Sequence, residues 1–203
     1  MIPLFVDPSR IRILVIGGGR IALRKCRHFY GSRITVISRS ILPEISEIAE
    51  KTIIGDSEEK ISELMDGSDI IIAATDDKEL NSRIVSSALS KGKYVNSAHG
   101  GGNILIPSVL EKERYTIAVS SRGNAPAFPP FIVKELDIAL GEEYDRMLDL
   151  MIEMRDVVKS DIPDPEARKR IMGEIVNDRT ILTLLSDGDL AGARELASKK
   201  VTS

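Results

Sequence analysis

Short apolar runs alternate with amphipathic stretches through the first half of the chain. Five short runs have this character, and four of them are rich in isoleucine and valine and end at glycine or a polar residue, a pattern typical of parallel strands that are buried on both faces. These runs are Ile11–Gly18, Ser32–Ser38, Lys51–Gly55, Ser68–Thr75 and Lys93–Ala98. Apolar residues recur at helical spacing between them. The alternation predicts an α/β fold with a doubly wound, Rossmann-type parallel sheet.

The segments outside these runs carry local signals of their own. Ser57 and Asp77 precede helical patterns and are residue types that cap helix N-termini. Residues 42–50 predict a further helix. Residues 103–121 predict one or two extended segments that continue or edge the sheet. From Glu142 onward the pattern predicts three helical stretches.

Composition narrows the class of protein. The chain has 203 residues, of which 42% are hydrophobic and 29% charged, with a formal net charge of −3. This balance is typical of a globular protein and gives no overall attraction to nucleic acid or to a membrane. The N-terminus lacks a secretory pattern, so we expect a cytoplasmic protein. The single cysteine, Cys26, lies in a helical pattern that predicts a packed thiol, and one cysteine excludes an internal disulfide and a cysteine-based zinc cluster. We predict no metal site.

The first predicted strand ends in a glycine-rich turn, VIGGGRIALRK. Gly17, Gly19 and Ala22 fit the pattern G-x-G-x-x-A between a strand and a helix, which is the context that dinucleotide-binding turns require. In that interpretation, Gly17 permits the tight turn and Gly19 lets backbone amides approach a pyrophosphate. Ala22 lets the helix pack closely on the strand. The alternative is a glycine turn with a purely structural role.

The next strand ends differently from that of most NAD-binding domains, which place an acidic residue there for the ribose hydroxyls. This chain has Ser38 and Arg39. Ser38 can still bond the ribose, whereas Arg39 can stack on adenine, meet the 2′-phosphate of NADP, or lie free on the surface. We therefore expect NAD as the cofactor and keep NADP as an alternative. Ala74 and Thr75, after the fourth strand, suit the nicotinamide side of the cofactor channel.

Several stretches together resemble the precorrin-2 dehydrogenase family, the dehydrogenase/ferrochelatase module of siroheme synthase. They occur in the family's order and are PLFVD, VIGGGRIALRK, AATDDKELNSRI, VNSA and ILIPSVLEKERYTIAVSSRGNAP. The resemblance implies NAD-dependent oxidation of precorrin-2 to sirohydrochlorin, insertion of ferrous iron or cobalt in some members, and a homodimer. It also implies cofactor contacts at Gly17, Gly19, Arg20, Ile21, Ser38, Arg39 and Thr75.

The resemblance also suggests how the chain is divided. We assign residues 1–110 to an NAD-binding Rossmann domain, residues 111–141 to a dimerisation segment and residues 142–203 to a helical C-terminal domain.

His99 is the main departure from the family, whose members typically carry a proposed catalytic Asp at the matching position. Imidazole titrates near neutrality and can accept a proton as a carboxylate can. We therefore predict that His99 is the general base. The alternative is a loop histidine that bonds a backbone carbonyl.

Precorrin-2 is rich in carboxylates, so a chain of this charge must bind it through local cations and backbone donors. The triple glycine that begins at Gly100 allows close approach of a large flat ligand, and the polar turn after residue 119 suits carboxylate capture. An exposed arginine in a capped turn is the alternative for Arg122. The predicted substrate contacts are Asn96, Gly100, Ser120, Ser121, Arg122 and Asn124.

Three other functions remain open from the sequence. One is a different nicotinamide-dependent oxidoreductase on the same scaffold. Another is a metallochelatase with weak dehydrogenase activity, which the replacement of the family's Asp by His99 makes conceivable. The third is a non-enzymatic module that senses dinucleotides.

Overall fold

A computed structural model describes residues 1–202 of the chain. It divides into two compact units, Met1–Ile106 and a second unit that begins at Pro107. A single 3-10 turn, Pro8–Arg10, precedes the first strand.

The first unit is built on a five-stranded parallel sheet in the order β3-β2-β1-β4-β5. The chain runs outward from β1 to one side and then returns to the other, so a topological switch point lies between β1 and β4. This order confirms the predicted Rossmann-type sheet. The strands are β1 (Arg12–Ile16), β2 (Arg33–Ser38), β3 (Lys51–Ile54), β4 (Ile70–Ala73) and β5 (Tyr94–Ser97).

Helices cover both faces of this sheet because the side chains of β1, β2 and β4 alternate between two apolar cores. Residues of α1 and α2 pack in one core and residues of α3 and α4 in the other. The helices are α1 (Arg20–His28), α2 (Pro43–Ser46), α3 (Glu58–Asp66) and α4 (Lys78–Ser90).

Two of the predicted helix caps are present. The Ser57 hydroxyl accepts from the Lys60 N–H, and the Asp77 carboxylate accepts from two N–H groups of the first turn of α4. The predicted helix over residues 42–50 is shorter, since α2 ends at Ser46. The chain must leave the helix there because β3 begins only five residues later, at Lys51.

Cys26 lies on the buried face of α1 and is fully buried. Burial raises the pKa of its thiol to about 11, because the thiolate would lose its hydration. The prediction of a packed thiol is therefore confirmed.

The second unit begins with two strands, β6 (Ser108–Glu111) and β7 (Thr116–Val119), and a helix, α5 (Phe128–Ala139). The strands pair antiparallel in a two-stranded sheet of their own. The prediction that this region continues or edges the parallel sheet is therefore wrong. Only four residues connect the strands, closed by a bond from the Lys112 N–H to the Tyr115 carbonyl, and so short a connection allows only antiparallel pairing between these two strands.

Four further helices share one apolar core. Breaks after residue 161 and before Arg179 separate the three helical stretches that the sequence predicts. A third break, which the sequence pattern did not predict, occurs at Gly188 (φ +81°), after which Asp189 caps the next helix. The helices are α6 (Glu142–Asp161), α7 (Pro165–Val176), α8 (Arg179–Ser186) and α9 (Leu190–Val201).

The three-part division at residues 110 and 141, with a dimerisation segment between them, stays a prediction. No helix within residues 1–202 is both long enough and apolar enough to cross a bilayer. A cytoplasmic location likewise stays a prediction.

Candidate cofactor and active site

The carboxyl ends of the parallel strands are tied together at one edge of the sheet. The N–H of Gly17 donates to the Ile37 carbonyl at 2.9 Å, and the N–H of Ala74 donates to the Ile16 carbonyl at 2.8 Å. The N–H of Ala98 similarly donates to the Ala73 carbonyl at 2.9 Å. The predicted site residues after β1, β2, β4 and β5 therefore lie along the same edge, where open α/β sheets bind their ligands.

The three glycines after β1 have different roles. Gly17 has φ +120°, and a Cβ there would lie 2.3 Å from the Ala74 carbonyl oxygen. A Cβ at Gly18 would lie 1.9 Å from the Ser40 carbonyl oxygen. Both positions need glycine because of the protein's own backbone. The G-x-G-x-x-A pattern missed the requirement at Gly18, whose only signal was that the middle residue of the run is also a glycine.

Gly19 is different because a Cβ there would meet no protein atom within 4 Å. It is the N-cap of α1, and no side chain caps that helix end. The N–H of Leu23 is bonded to the Gly19 carbonyl at 2.9 Å, whereas the first-turn N–H groups of Arg20, Ile21 and Ala22 have no intrahelical acceptor. An open cradle with free donors at the positive helix end fits a pyrophosphate. Ala22 itself is fully buried, as predicted for close packing of the helix on the sheet.

The end of β2 has a neighbour that the sequence pattern did not identify. Arg39 Nε lies 3.2 Å from Asp56 Oδ2, and both side chains are substantially exposed. Asp56 follows β3, whose end is joined to Ser38 by a 2.9 Å bond from the Gly55 N–H to the Ser38 carbonyl. A carboxylate therefore lies near the end of β2, although it comes from the residue that follows the adjacent strand. Only the pairing of β2 with β3 reveals it.

The edge between β4 and β5 holds a hydrogen-bonded cluster centred on Asn81, whose side chain is fully buried. Asn81 Oδ1 accepts from the Thr75 N–H at 3.2 Å and lies 2.8 Å from the Thr75 hydroxyl. Asn81 Nδ2 donates to the Thr75 carbonyl at 2.9 Å and lies 2.8 Å from His99 Nδ1. Thr75 and His99 were both predicted from the sequence, but Asn81 was not. Its only signal was an amide on the apolar face of a helix.

His99 lies in the loop that comes after β5. Its ring is exposed, and its backbone N–H donates to the Ser97 hydroxyl at 3.2 Å. The loop returns at Gly102, where a Cβ would lie 2.2 Å from the Val95 carbonyl oxygen. His99 is therefore held at two points, by the end of β5 and by Asn81.

The other predicted residues of this region differ in exposure. Gly100 is exposed with φ +86°, whereas Ala74 is buried. Asn96 is also buried, and its Nδ2 donates to the Ile104 carbonyl at 3.1 Å. Its Oδ1 has no partner among the described residues. The Asn96 amide therefore supports the returning loop, and contact with the substrate stays a prediction.

The predicted carboxylate-binding turn lies in the second unit. The Ser120 hydroxyl accepts from the Arg122 N–H at 3.1 Å, and the Ser121 hydroxyl bonds the backbone of Ala125. Both hydroxyls thus build the turn. Arg122 has φ +56°, the one positive φ of a non-glycine residue within residues 1–202. The side chains of Arg122 and Asn124 are exposed.

The described part of the chain contains no group of three or more His, Cys, Asp or Glu side chains that could hold a metal ion.

The comparisons with known proteins agree with this geometry. A family model described as putative NAD(P)-binding matches residues 4–108. The chain belongs to this family. Use of a nicotinamide cofactor, predicted from the glycine turn, is confirmed, and the description covers both NAD and NADP.

Curated relatives of this NAD(P)-binding chain carry two names. The siroheme synthase of Chromobacterium violaceum is 30% identical over 98% of this chain, which spans 43% of that protein. The precorrin-2 dehydrogenase of Methanosarcina barkeri is 26% identical over 89% of this chain and 84% of its own length. The chain thus spans less than half of the siroheme synthase. The predicted resemblance to this group of proteins is confirmed.

A solved structure titled SirC, precorrin-2 dehydrogenase has the same fold. It aligns with a TM-score of 0.74 over 96% of this chain and 99% of its own, at 24% identity. The predicted combination of a Rossmann-type sheet with later helices is therefore confirmed.

Proposed function

We propose that this protein dehydrogenates precorrin-2 to sirohydrochlorin with NAD as the cofactor. The observation that carries the proposal is the uncapped cradle at Gly19 and the exposed imidazole of His99 along one edge of one sheet. The alignment with a precorrin-2 dehydrogenase over 84% of that protein's length supports the choice of substrate.

Different residues along this edge of the sheet would bind different parts of the cofactor. The free N–H groups at the start of α1 would bind the cofactor's pyrophosphate, and Ser38 with Asp56 would bond the adenosine ribose. Ala74 and Thr75 would line the nicotinamide side. When bound, the nicotinamide supplies the hydride acceptor, which no amino-acid side chain can provide.

The substrate must also lose a proton, and His99 is the candidate to handle it. His99 is exposed, and an imidazole can serve as a general acid or base. Replacement of His99 by Ala should lower kcat/KM by about 10²–10⁴-fold if it acts in general acid–base catalysis. A pH–rate profile of His99→Asp and His99→Ala tests the role. Wild-type rates from the Ala variant would contradict it.

The carboxylates of precorrin-2 need cationic partners. Arg122 and Asn124 are the predicted side chains with exposed polar ends in the turn, whereas the hydroxyls of Ser120 and Ser121 hold its backbone. We assign substrate contact to Arg122 first, because a guanidinium binds a carboxylate through two parallel hydrogen bonds.

A direct assay tests the activity. The protein is incubated with precorrin-2 and NAD, and then with NADP, while NADH or NADPH and sirohydrochlorin are monitored by absorbance. A second assay offers sirohydrochlorin with ferrous or cobaltous ion. Reduction of NAD together with formation of sirohydrochlorin is the expected result. Metal insertion without any dehydrogenation would support the chelatase alternative and overturn the proposal.

We also propose that the protein acts as a homodimer through α5 and the adjacent strands. Three large apolar side chains of α5, those of Phe128, Phe131 and Ile138, are more than half exposed, which a monomer rarely maintains on one short helix. Sedimentation equilibrium should give a mass twice that of the chain. Phe131→Asp should shift it to the monomer mass.

A further inference from the structure

The orientation of the Asn81 amide is determined by the backbone of Thr75. The Thr75 N–H donates to Oδ1 at 3.2 Å, and the Thr75 carbonyl accepts from Nδ2 at 2.9 Å. The reversed amide would place its NH₂ against an N–H and its oxygen against a carbonyl oxygen, so both contacts would be repulsive. The Thr75 hydroxyl can donate or accept and does not affect the choice.

This orientation determines which atom of Asn81 faces His99. Nδ2 lies 2.8 Å from His99 Nδ1, and an amide NH₂ can only donate. One of its two hydrogens bonds the Thr75 carbonyl, so the second points to the imidazole. His99 Nδ1 must therefore accept this bond with its lone pair.

An imidazole that accepts at Nδ1 carries its proton on Nε2 when it is neutral. We infer that Asn81 is a positioning residue that holds His99 as the Nε2–H tautomer. Burial strengthens the constraint: the Asn81 side chain has no access to water, so its hydrogens have no alternative acceptor there. No described residue bonds to Nε2, and the exposed ring therefore offers a hydrogen-bond donor.

This inference sharpens the proposed function and, in its account of the substrate, rests on it. A ring that offers Nε2–H cannot accept the substrate's proton at that atom, and Nδ1 is occupied by Asn81. In this tautomer His99 first meets the substrate as a donor to an acceptor group, for which the carboxylates of a tetrapyrrole are the available class, and it can act as the proposed base only at Nδ1. Proton abstraction by His99 requires that the bond to Asn81 be released first.

Nitrogen-15 NMR of labelled histidine reads the tautomer directly, in the protein without cofactor or substrate. The chain has two histidines, and His28→Gln assigns the signals of His99. For the neutral ring we expect a pyridine-type shift for Nδ1 and a pyrrole-type shift for Nε2. The reverse pattern in the wild type would overturn the inference.

A free imidazole also prefers the Nε2–H form, so Asn81→Asp is the discriminating variant. A carboxylate at this position can only accept, and it should draw the proton to Nδ1 and reverse the two shifts. A folded Asn81→Asp protein with unchanged shifts would mean that residue 81 does not control the ring.

A second measurement applies if Asn81→Asp does not fold. His99 is exposed, so His99→Ala should leave the fold intact. Both side-chain N–H groups of Asn81 should be protected from hydrogen exchange in the wild type, and one should lose at least tenfold protection in His99→Ala. Equal protection of both groups in the two proteins would overturn the inference.

The activity assay is separate from these measurements. In Asn81→Asp the KM for precorrin-2 should rise roughly tenfold or more, because a donor to a charged group is lost. Failure of the wild type to turn over precorrin-2 would reject the proposed substrate. It would leave the tautomer result intact, because that measurement needs no ligand.

Discussion

Gly17 and the carbonyl of Ala74 are in direct contact, since a Cβ at Gly17 would lie 2.3 Å from the Ala74 oxygen. The contact joins the end of β1 to the end of β4, the point at which the sheet's connections change direction. Gly19, two residues later, has nothing within 4 Å of the corresponding position. The motif's two glycines are therefore required for different reasons.

Gly17→Ala should destabilise the fold, because φ +120° is strained for alanine and the methyl group would overlap the Ala74 carbonyl. We expect a loss of more than about 2 kcal/mol in the free energy of unfolding, measured with urea. Gly19→Ala is the matched control and should change that free energy by less than about 1 kcal/mol. It should still weaken NAD binding, because its methyl group enters the cradle. Equal losses of stability in both variants would contradict the assignment of a structural role to Gly17 and a binding role to Gly19.

Asp56→Asn should shift cofactor preference towards NADP. The substitution removes the carboxylate 3.2 Å from Arg39 Nε and leaves the guanidinium free to meet a 2′-phosphate. The ratio of kcat/KM for NADP to that for NAD should rise roughly tenfold. Arg39→Ala should move the ratio the other way. The free energy of unfolding should change by less than about 1 kcal/mol in either variant, since the pair is exposed. An unchanged ratio in both variants would show that Arg39 and Asp56 do not determine which cofactor is preferred.

Arg122→Gly should stabilise the protein while it weakens substrate binding. The left-handed backbone at φ +56° costs a non-glycine residue about 1 kcal/mol, which glycine would recover in part. Loss of the guanidinium should raise the KM for precorrin-2. Arg122→Gln keeps the backbone strain and loses the charge, so it should raise KM without gaining stability. A wild-type KM for precorrin-2 in both variants would show that Arg122 does not contact the substrate.

We expect the buried thiol of Cys26 to make the protein less stable at alkaline pH. Burial raises the pKa of its thiol from an ordinary value of 9.0 to about 11, so the unfolded chain ionises first as the pH rises. The free energy of unfolding should therefore fall between about pH 9 and pH 11, measured by urea titration at each pH. Cys26→Ala should flatten this part of the profile. The native thiol should also resist thiol reagents at neutral pH.

Local signals in the sequence predicted the elements that depend on a few neighbouring residues. Ser57 and Asp77 cap their helices as expected, because a cap bonds N–H groups only two or three residues away. The errors came where the extent or pairing of an element depends on the next element along the chain. The helix α2 ends early because β3 must begin at Lys51, and β6 pairs with β7 because the connection between them is short.

The sequence by itself determined the Rossmann-type sheet, the glycine turn and the position of His99, because apolar periodicity and turn residues act within one element. Only the tertiary structure decided that Asp56 lies beside Arg39 and that Asn81 lies between Thr75 and His99. Asn81 and His99 are 18 positions apart in the chain. They meet because α4 begins, and the loop after β5 lies, at the edge where the parallel strands have their carboxyl ends. Which imidazole nitrogen of His99 is left without a protein partner depends on that contact, and no pattern along the chain encodes it.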